Sequence, residues 1–358
     1  MSFLDKEYIL SLAPIDPELK AFLEAAQLPP PNYNDLDAFK KMARLRDAEM
    51  LKALGDAPPE VRQTELEYPT RDGSKVRAKL YQPSDMAASS SSDQRGRPLI
   101  VMFHGGGFCV GIPEAEERSC RNFVQAFGAV CVSAAYRLAP EFKFPYAVND
   151  AWDAVQWAAA QASSWGADPS AGFVVGGTSA GANISAVLAH LARDEGLSPP
   201  LTGQYLAVPP VLPPTVVPDK YKEYYLSYEQ NRNSPVLPVA AIDMFLAGYA
   251  ADDHDSVHWA VFNHPNGHRG VAPALFQIDG MDPLRDEGLL YERVLSEECG
   301  VKTKTYVYPG QPHYHWAIFP FLKASEKFRV EQVEGMGWLL GRTPDFSKVV
   351  TKAKAPDV

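Results

Sequence analysis

Ser179, Asp282 and His313 have the residue types and the chain order that nucleophilic chemistry needs. A serine hydroxyl is a weak nucleophile until a base removes its proton, and a histidine base needs an acid to fix its tautomer and orientation. The order serine, acid, histidine is one of three in which this constellation recurs. Ser179 is the centre of Gly177-Thr178-Ser179-Ala180-Gly181. The run Phe173-Val174-Val175-Gly176 before it is short, apolar and β-branched, as in a buried strand. Ile184, Val187, Leu188 and Leu191 after it recur at helical spacing. Strand, Gly-x-Ser-x-Gly and helix form a turn that presents the serine at its tip. A side chain at 177 or 181 would collide with a neighbouring strand or helix. The Ala180 amide, at the helix N-terminus, would face negative charge developing at the serine. Alone, the pentapeptide is equally well a glycine-rich strand-to-helix turn, so the case rests on the other residues.

Asp282 follows a strand-like run in Asp279-Gly280-Met281-Asp282-Pro283-Leu284-Arg285, and His313 follows another in Tyr308-Pro309-Gly310-Gln311-Pro312-His313. Asp282 precedes a proline, so helix N-capping is its competing role. Asp279 is a rival acid, closer to its strand and expected to point into packing. His315 is a rival base two residues beyond His313, expected to line the pocket or pair with backbone. His313 is preferred because it directly follows the Gly-Gln-Pro turn. A further element is His104-Gly105-Gly106-Gly107 at the end of the apolar run Leu99–Phe103. Consecutive glycines let backbone amides approach a substrate closely. With the amide of Ala180 they could bind an oxyanion. The competing reading, a phosphate-binding turn, lacks a Walker lysine and a well-placed dinucleotide acid. His104 is expected to prop the loop rather than to react.

These residues need elements to hold them. The first 60 residues read as amphipathic helices. A hairpin near Thr64–Tyr68 and Arg77–Tyr81 turns at Arg71-Asp72-Gly73. Strands are then expected at Leu99–Phe103, Ala129–Ala134, Phe173–Gly176, Thr202–Val208, Ala274–Ile278 and Lys302–Tyr308, with helices between them. Ala87–Ser92 is serine-rich and reads as an exposed loop. Five prolines between Pro209 and Pro218 exclude a regular α/β unit there. The segment 209–265, with Tyr221, Tyr224, Tyr225 and Tyr228, therefore reads as an insertion over the core. The histidines in and just after it, His254, His258, His264 and His268, lack metal-ligand spacing and are expected to meet solvent or loops. The fold class is α/β: a mostly parallel eight-stranded sheet with helices on both faces and a helical cap. Such sheets bind ligands beyond the C-terminal ends of their strands, where Ser179, His104–Gly107, Asp282 and His313 all fall.

The chain has 358 residues, 46% of them hydrophobic, and a formal charge of −10. It can bury a large core, and its charge argues against a nucleic-acid partner and gives no basic face for an anionic membrane. No stretch of apolar residues is long enough to span a bilayer. Leu10-Ser11-Leu12-Ala13, behind Asp5, Lys6 and Glu7, is too short for a secretion signal. Cys109, Cys120, Cys131 and Cys299 show no metal-type spacing. A reducing, cytoplasmic setting is expected.

His104-Gly105-Gly106-Gly107-Phe108, Tyr136-Arg137-Leu138-Ala139-Pro140-Glu141, Gly177–Gly181 with Asn183, Asp282-Pro283-Leu284-Arg285-Asp286-Glu287 and Tyr308-Pro309-Gly310 before His313 stand in order. Together they resemble the hormone-sensitive-lipase-like branch of the α/β-hydrolases over residues 65–340. The resemblance implies a cap-covered serine carboxylesterase of the α/β-hydrolase fold, working without cofactor or metal ion. It places catalysis on Ser179, Asp282 and His313, and the oxyanion hole on the amides of Gly106, Gly107 and Ala180 with Gly105 beside them. It makes Asp150 structural. It divides the chain into an N-terminal helical cap segment (1–60), a first core part (61–208), a cap insertion (209–265), a second core part (266–345) and a loosely ordered tail (346–358). Thr178 stands where many members have Asp, and Tyr314-His315 where Gly-Phe is usual. The expected partner is a small-molecule ester with a short or compact acyl group, and a second copy of the chain in a homodimer. The same serine could instead serve a specialised ester, a lactone, or an acyl-transfer or cyclisation step of secondary metabolism. A receptor without catalysis is the third reading, against which His313 argues.

Overall fold

The computed structural model describes residues 5–26, 32–33, 35–85, 96–250 and 256–352. Pro29–Pro31, the serine-rich 87–92 stretch, His254 and the last six residues lie outside the described residues.

Three helices come first: α1 (Lys6–Ser11), α2 (Pro17–Ala26) and α3 (Leu36–Leu54). The sheet has eight strands: β1 (Val61–Pro69), β2 (Lys75–Pro83), β3 (Leu99–Phe103), β4 (Val130–Ala134), β5 (Phe173–Thr178), β6 (Gly203–Ala207), β7 (Ala274–Asp279) and β8 (Thr303–Tyr308). Their spatial order is β1-β2-β4-β3-β5-β6-β7-β8. β1 and β2 form the expected hairpin, β2 meets β4 antiparallel, and every later pairing is parallel. Crossovers run through α4 (Glu117–Phe127), α5 (Tyr146–Gln161), α6 (Ala180–Asp194), α7 (Ser227–Gln230), α8 (Val239–Tyr249) and α9 (Arg285–Arg293). The chain closes with α10 (His315–Ile318) and α11 (Lys323–Leu340).

Successive strand residues point to opposite faces, so a strand covered on both sides must be apolar throughout. β3 shows this. Leu99, Val101 and Phe103 pack with Ala147, Val155, Ile184 and Leu188 of α5 and α6. Ile100 and Met102 pack with Phe123 and Val124 of α4 and Phe328, Val333 and Met336 of α11. Each such burial stabilises by about 1.5–3 kcal/mol relative to exposure, so the strand ends that carry the reactive side chains rest on the most rigid part of the molecule. The hairpin is tied to this core by Arg137, whose Nε and Nη2 reach the fully buried Asp150 at 2.9 and 2.6 Å while Nη1 reaches Asp72 at 2.6 Å. Asp150 therefore sits where a structural residue should.

Between β6 and β7 the proline-rich stretch makes only short helical turns before α7 and α8. The tyrosines there do not enter the cavity described below. Tyr221 bonds Glu298 and Tyr225 bonds Glu287, both beyond β7, and Tyr228 reaches Asp243 at 3.3 Å. Their phenol oxygens need polar partners once buried, and the polar partners lie on α9, just after it and on α8.

Candidate active site

β5 feeds α6 through a turn that needs glycine at 177 and 181. Ser179 has φ 54° and ψ −117°, a left-handed conformation for a residue with a side chain. A Cβ at Gly177 would lie 2.3 Å from the Phe103 carbonyl oxygen, and one at Gly181 only 2.0 Å from it. The turn holds the Ser179 hydroxyl at the cavity floor. Asn183, one turn into α6, donates to the carbonyls of Pro210 and Trp259 at 2.6 and 2.9 Å, tying the helix to the 209–265 segment.

The loops after β7 and β8 are zipped together by Gly280 N–H to the Tyr308 carbonyl and Met281 N–H to the Gln311 carbonyl. This pairing brings Asp282 and His313 together. His313 Nδ1 lies 2.6 Å from Asp282 Oδ2, and His313 Nε2 lies 3.0 Å from Ser179 Oγ. The three side chains thus stand in one hydrogen-bonded line. Asp282 also performs the competing role: its Oδ1 accepts the Leu284 N–H at 2.9 Å just before α9. One carboxylate serves both ends because its two oxygens face different partners. Three polar residues of the 209–265 segment hold this loop: Asn231 on the Asp282 carbonyl, Ser227 on the Pro283 carbonyl and Ser234 on the Met281 carbonyl. Sequence reasoning missed all three, since they belong to no periodic pattern.

The rival pair also meets. His315 Nδ1 lies 2.9 Å from Asp279 Oδ1, and both side chains are fully buried. His315 neither lines the cavity nor pairs with backbone, contrary to expectation. It faces inward among Tyr308, Trp316 and Phe328 because α10 turns its ring away from His313. His268 departs from expectation too. It is buried against α6, with Nδ1 2.9 Å from His190 Nε2 and Nε2 3.1 Å from the Phe262 carbonyl oxygen, while His264 stands 3.3 Å from Asp194.

After β3, the glycine run turns sharply. Gly106 and Gly107 have φ of 121° and 56°, and the Gly106 carbonyl accepts from both Cys109 and Val110. A Cβ on Gly106 would meet the Val110 carbonyl oxygen at 2.1 Å, so no other residue fits. Ala180 is the first residue of α6, and its N–H has no intrahelical acceptor. His104 props the turn as expected: its Nδ1 contacts the Gly105 carbonyl at 2.7 Å and its ring stacks on Tyr136 at 4.4 Å. Burial pushes its imidazole down to about 4, so it is uncharged at neutral pH.

Ser179, His313, Gly105, Gly106, Gly107 and Ala180 all line one cavity. Its walls are mostly apolar. Phe39 and Met50 come from α3, Ile242, Phe245 and Leu246 from α8, and Trp259 from the strand-ward return. Phe245 lies directly over the glycine turn, where a Cβ on Gly107 would come within 2.3 Å of its ring. Phe39 meets the same ring edge-on at 5.3 Å between centroids. Such a cavity can take an apolar acyl group. The amides can face a developing oxyanion, and the Ser–His–Asp line can move the proton. Among the described residues no cluster of side chains has metal-binding geometry, and no helix is long and apolar enough to cross a membrane.

The sheet order, the turn at Ser179 and the glycine run together define an α/β-hydrolase. A family model described as alpha/beta hydrolase fold matches residues 100–317. The chain belongs to this family, in its hormone-sensitive-lipase-like branch. Its relatives include an α/β-hydrolase superfamily protein of Schizosaccharomyces pombe, 33% identical over 340 residues that cover 95% of this chain and 97% of the relative. The carboxylesterase NlhH of Mycobacterium tuberculosis is 32% identical over 304 residues, covering 84% of this chain and 88% of NlhH. Among solved structures, vibralactone cyclase matches with a TM-score of 0.83 at 32% identity, covering 94% of this chain and 97% of that one.

Proposed function

We propose that this chain is a serine carboxylesterase acting on small-molecule esters through an acyl-enzyme on Ser179. The observation that carries the reading is the unbroken line Ser179 Oγ, His313 Nε2 and Nδ1, Asp282 Oδ2, at 3.0 and 2.6 Å, on the floor of an apolar cavity. His313 takes the hydroxyl proton as Oγ attacks the acyl carbon. The carbonyl oxygen gains the charge and is held by the amides of Gly106, Gly107 and Ala180, each such donor contributing about 3 kcal/mol. His313 returns the proton to the leaving alkoxide, and water then repeats the sequence on the acyl-enzyme. Asp282 holds the ring and stabilises the imidazolium. Residues 1–60 and 209–265 act as the cap that keeps solvent from the acyl group. Four free cysteines, three of them buried, fit the reducing, cytoplasmic setting. The test is turnover of p-nitrophenyl acetate and butyrate with covalent labelling by a fluorophosphonate probe. Both are expected in the wild type and neither in Ser179→Ala; undiminished turnover by the variant refutes the assignment.

The likeness to vibralactone cyclase favours a second reading, in which the same serine closes or opens a lactone. Turnover of a lactone or hydroxy-ester far above that of p-nitrophenyl esters would select it.

A further inference from the structure

Among the described residues before β1, only α3 lines the cavity, through Phe39, Arg46, Asp47 and Met50. The segment ahead of it lies behind the catalytic loops instead. Gly310 N–H donates to the Leu12 carbonyl at 2.8 Å, and Asp16 N–H donates to the Gly310 carbonyl at 3.1 Å. Residues 12–16 thus take up both backbone groups of Gly310, three residues before His313. The approach is close enough to need glycine on both loops. A Cβ on Gly310, which has φ 68°, would lie 2.5 Å from the Asp16 nitrogen and from the Pro14 carbonyl oxygen. A Cβ on Gly280, two residues before Asp282, would lie 2.3 Å from the Leu12 carbonyl oxygen.

Side chains anchor this segment on either side of the contact. Ile9 and Leu12 are buried in the cluster that holds Ile278 of β7 and Leu289 and Leu290 of α9. Leu19 of α2 packs with Met281, the neighbour of Asp282, and with Phe319 after α10. Gln230 Nε2 donates to the Leu10 carbonyl at 3.0 Å. Loops open locally more easily than the strands they join, so a loop that carries a catalytic base needs a brace. We propose that residues 9–19 are a positioning clip for the catalytic loops: by holding Gly310 and closing over Gly280, they keep His313 Nε2 within bonding distance of Ser179 Oγ. The inference rests on the Ser179–His313–Asp282 reading above. A displacement of about 1 Å in a catalytic group can cost about a hundredfold in rate. The clip contributes no side chain to the cavity, so its loss should act on proton transfer and leave substrate binding alone.

Ile9→Ala with Leu12→Ala removes both anchors and leaves the catalytic loops and the cavity wall unchanged in sequence. On p-nitrophenyl acetate, kcat per serine labelled to completion by a fluorophosphonate should fall about tenfold or more, with KM within about twofold of wild type. Counting per labelled serine separates positioning from loss of folded protein, which lowers the number of sites and leaves turnover at each site intact. Ile9→Val with Leu12→Met conserves the packing and should keep wild-type turnover. If the double alanine variant does not stay folded at the assay temperature, Leu12→Ala alone carries the test, with an expected fall of about threefold or more. A folded alanine variant with wild-type kcat per site overturns the proposal and leaves the segment as packing alone. A raised KM with unchanged kcat overturns it too, by making the segment part of the substrate site. Ser179→Ala run alongside keeps the two readings apart, because its loss of turnover stands whichever way the clip variants behave.

Discussion

Phe245 should set the length of the acyl chain, and its truncation gives the sharpest test of how the cavity works. Its ring covers Gly107, lines the cavity beside Ser179 and is braced by Phe39. An acyl group attached to Ser179 with its oxygen toward Gly106 and Gly107 meets this ring within a few bonds. Phe245→Ala removes six ring carbons, room for roughly three methylenes of substrate. Burying each methylene is worth about 0.8 kcal/mol, about fourfold in kcat/KM, so the three together are worth about 2.4 kcal/mol, or about sixtyfold. The void joins the cavity instead of being sealed, so the stability cost should fall near the lower end of the usual Phe→Ala range, about 3 kcal/mol. The assay is a series of p-nitrophenyl esters from acetate to decanoate, read as ratios of kcat/KM so that loss of folded enzyme cancels. The octanoate-to-acetate ratio should rise by one to two orders of magnitude, on the order of the sixtyfold worked above. An unchanged ratio in a folded variant would mean that the acyl chain leaves in another direction and does not meet this ring.

Gly181→Ala places a Cβ 2.0 Å from one backbone carbonyl oxygen and 2.8 Å from the next; a thermal melt should show a loss of about 3 kcal/mol or more, and a wild-type melt would contradict the turn geometry. Asp150→Ala leaves the Arg137 guanidinium without its fully buried partner, and denaturant unfolding should register about 3–5 kcal/mol; a cost under about 1 kcal/mol would show that the hairpin is held by other contacts. Glu287 gives a pH prediction. Tyr225 has one hydroxyl hydrogen and two acceptors, the Leu212 carbonyl at 2.9 Å and Glu287 Oε1 at 3.0 Å, so the arrangement is satisfied when Glu287 carries a proton. Burial pushes this carboxyl up to about 8 from its ordinary 4.5. Between those values the folded chain holds a proton that the unfolded chain releases, so stability falls as pH rises through the window and the loss is complete above it. Glu287→Gln should therefore gain on the wild type from pH 5 to pH 8.5, by on the order of 4 kcal/mol at most, and parallel melting curves across that range would refute the assignment.

How much of this was legible in the sequence depends on whether a residue's partner is local. Gly177 and Gly181 were readable because the clash that forbids a side chain there lies within one strand-turn-helix unit. The central strands were readable because burial on both faces forces near-continuous apolar runs, as in Leu99–Phe103, and the half-exposed hairpin of β1 and β2 because of its Arg71-Asp72-Gly73 turn. Asp282 and His313 were readable because parallel strands end at one edge of the sheet, so two loops far apart in sequence must meet there. The 209–265 segment obeys no such rule. Its tyrosines look like pocket aromatics by type, yet Tyr221 and Tyr225 turn toward Glu298 and Glu287 because a buried phenol oxygen must find an acceptor. The aromatic surface over the serine comes instead from Phe39, Phe245 and Trp259. Asp279 and His315 show the same limit from the other side. Each was visible as a rival to the residue that meets Ser179, but the sequence could not say that the two rivals face each other, because their separation is set by the backbone zipper between β7 and β8. Where a side chain's direction depends on a hydrogen bond made across the sheet edge, composition and spacing name the candidates, and only the folded loops assign them.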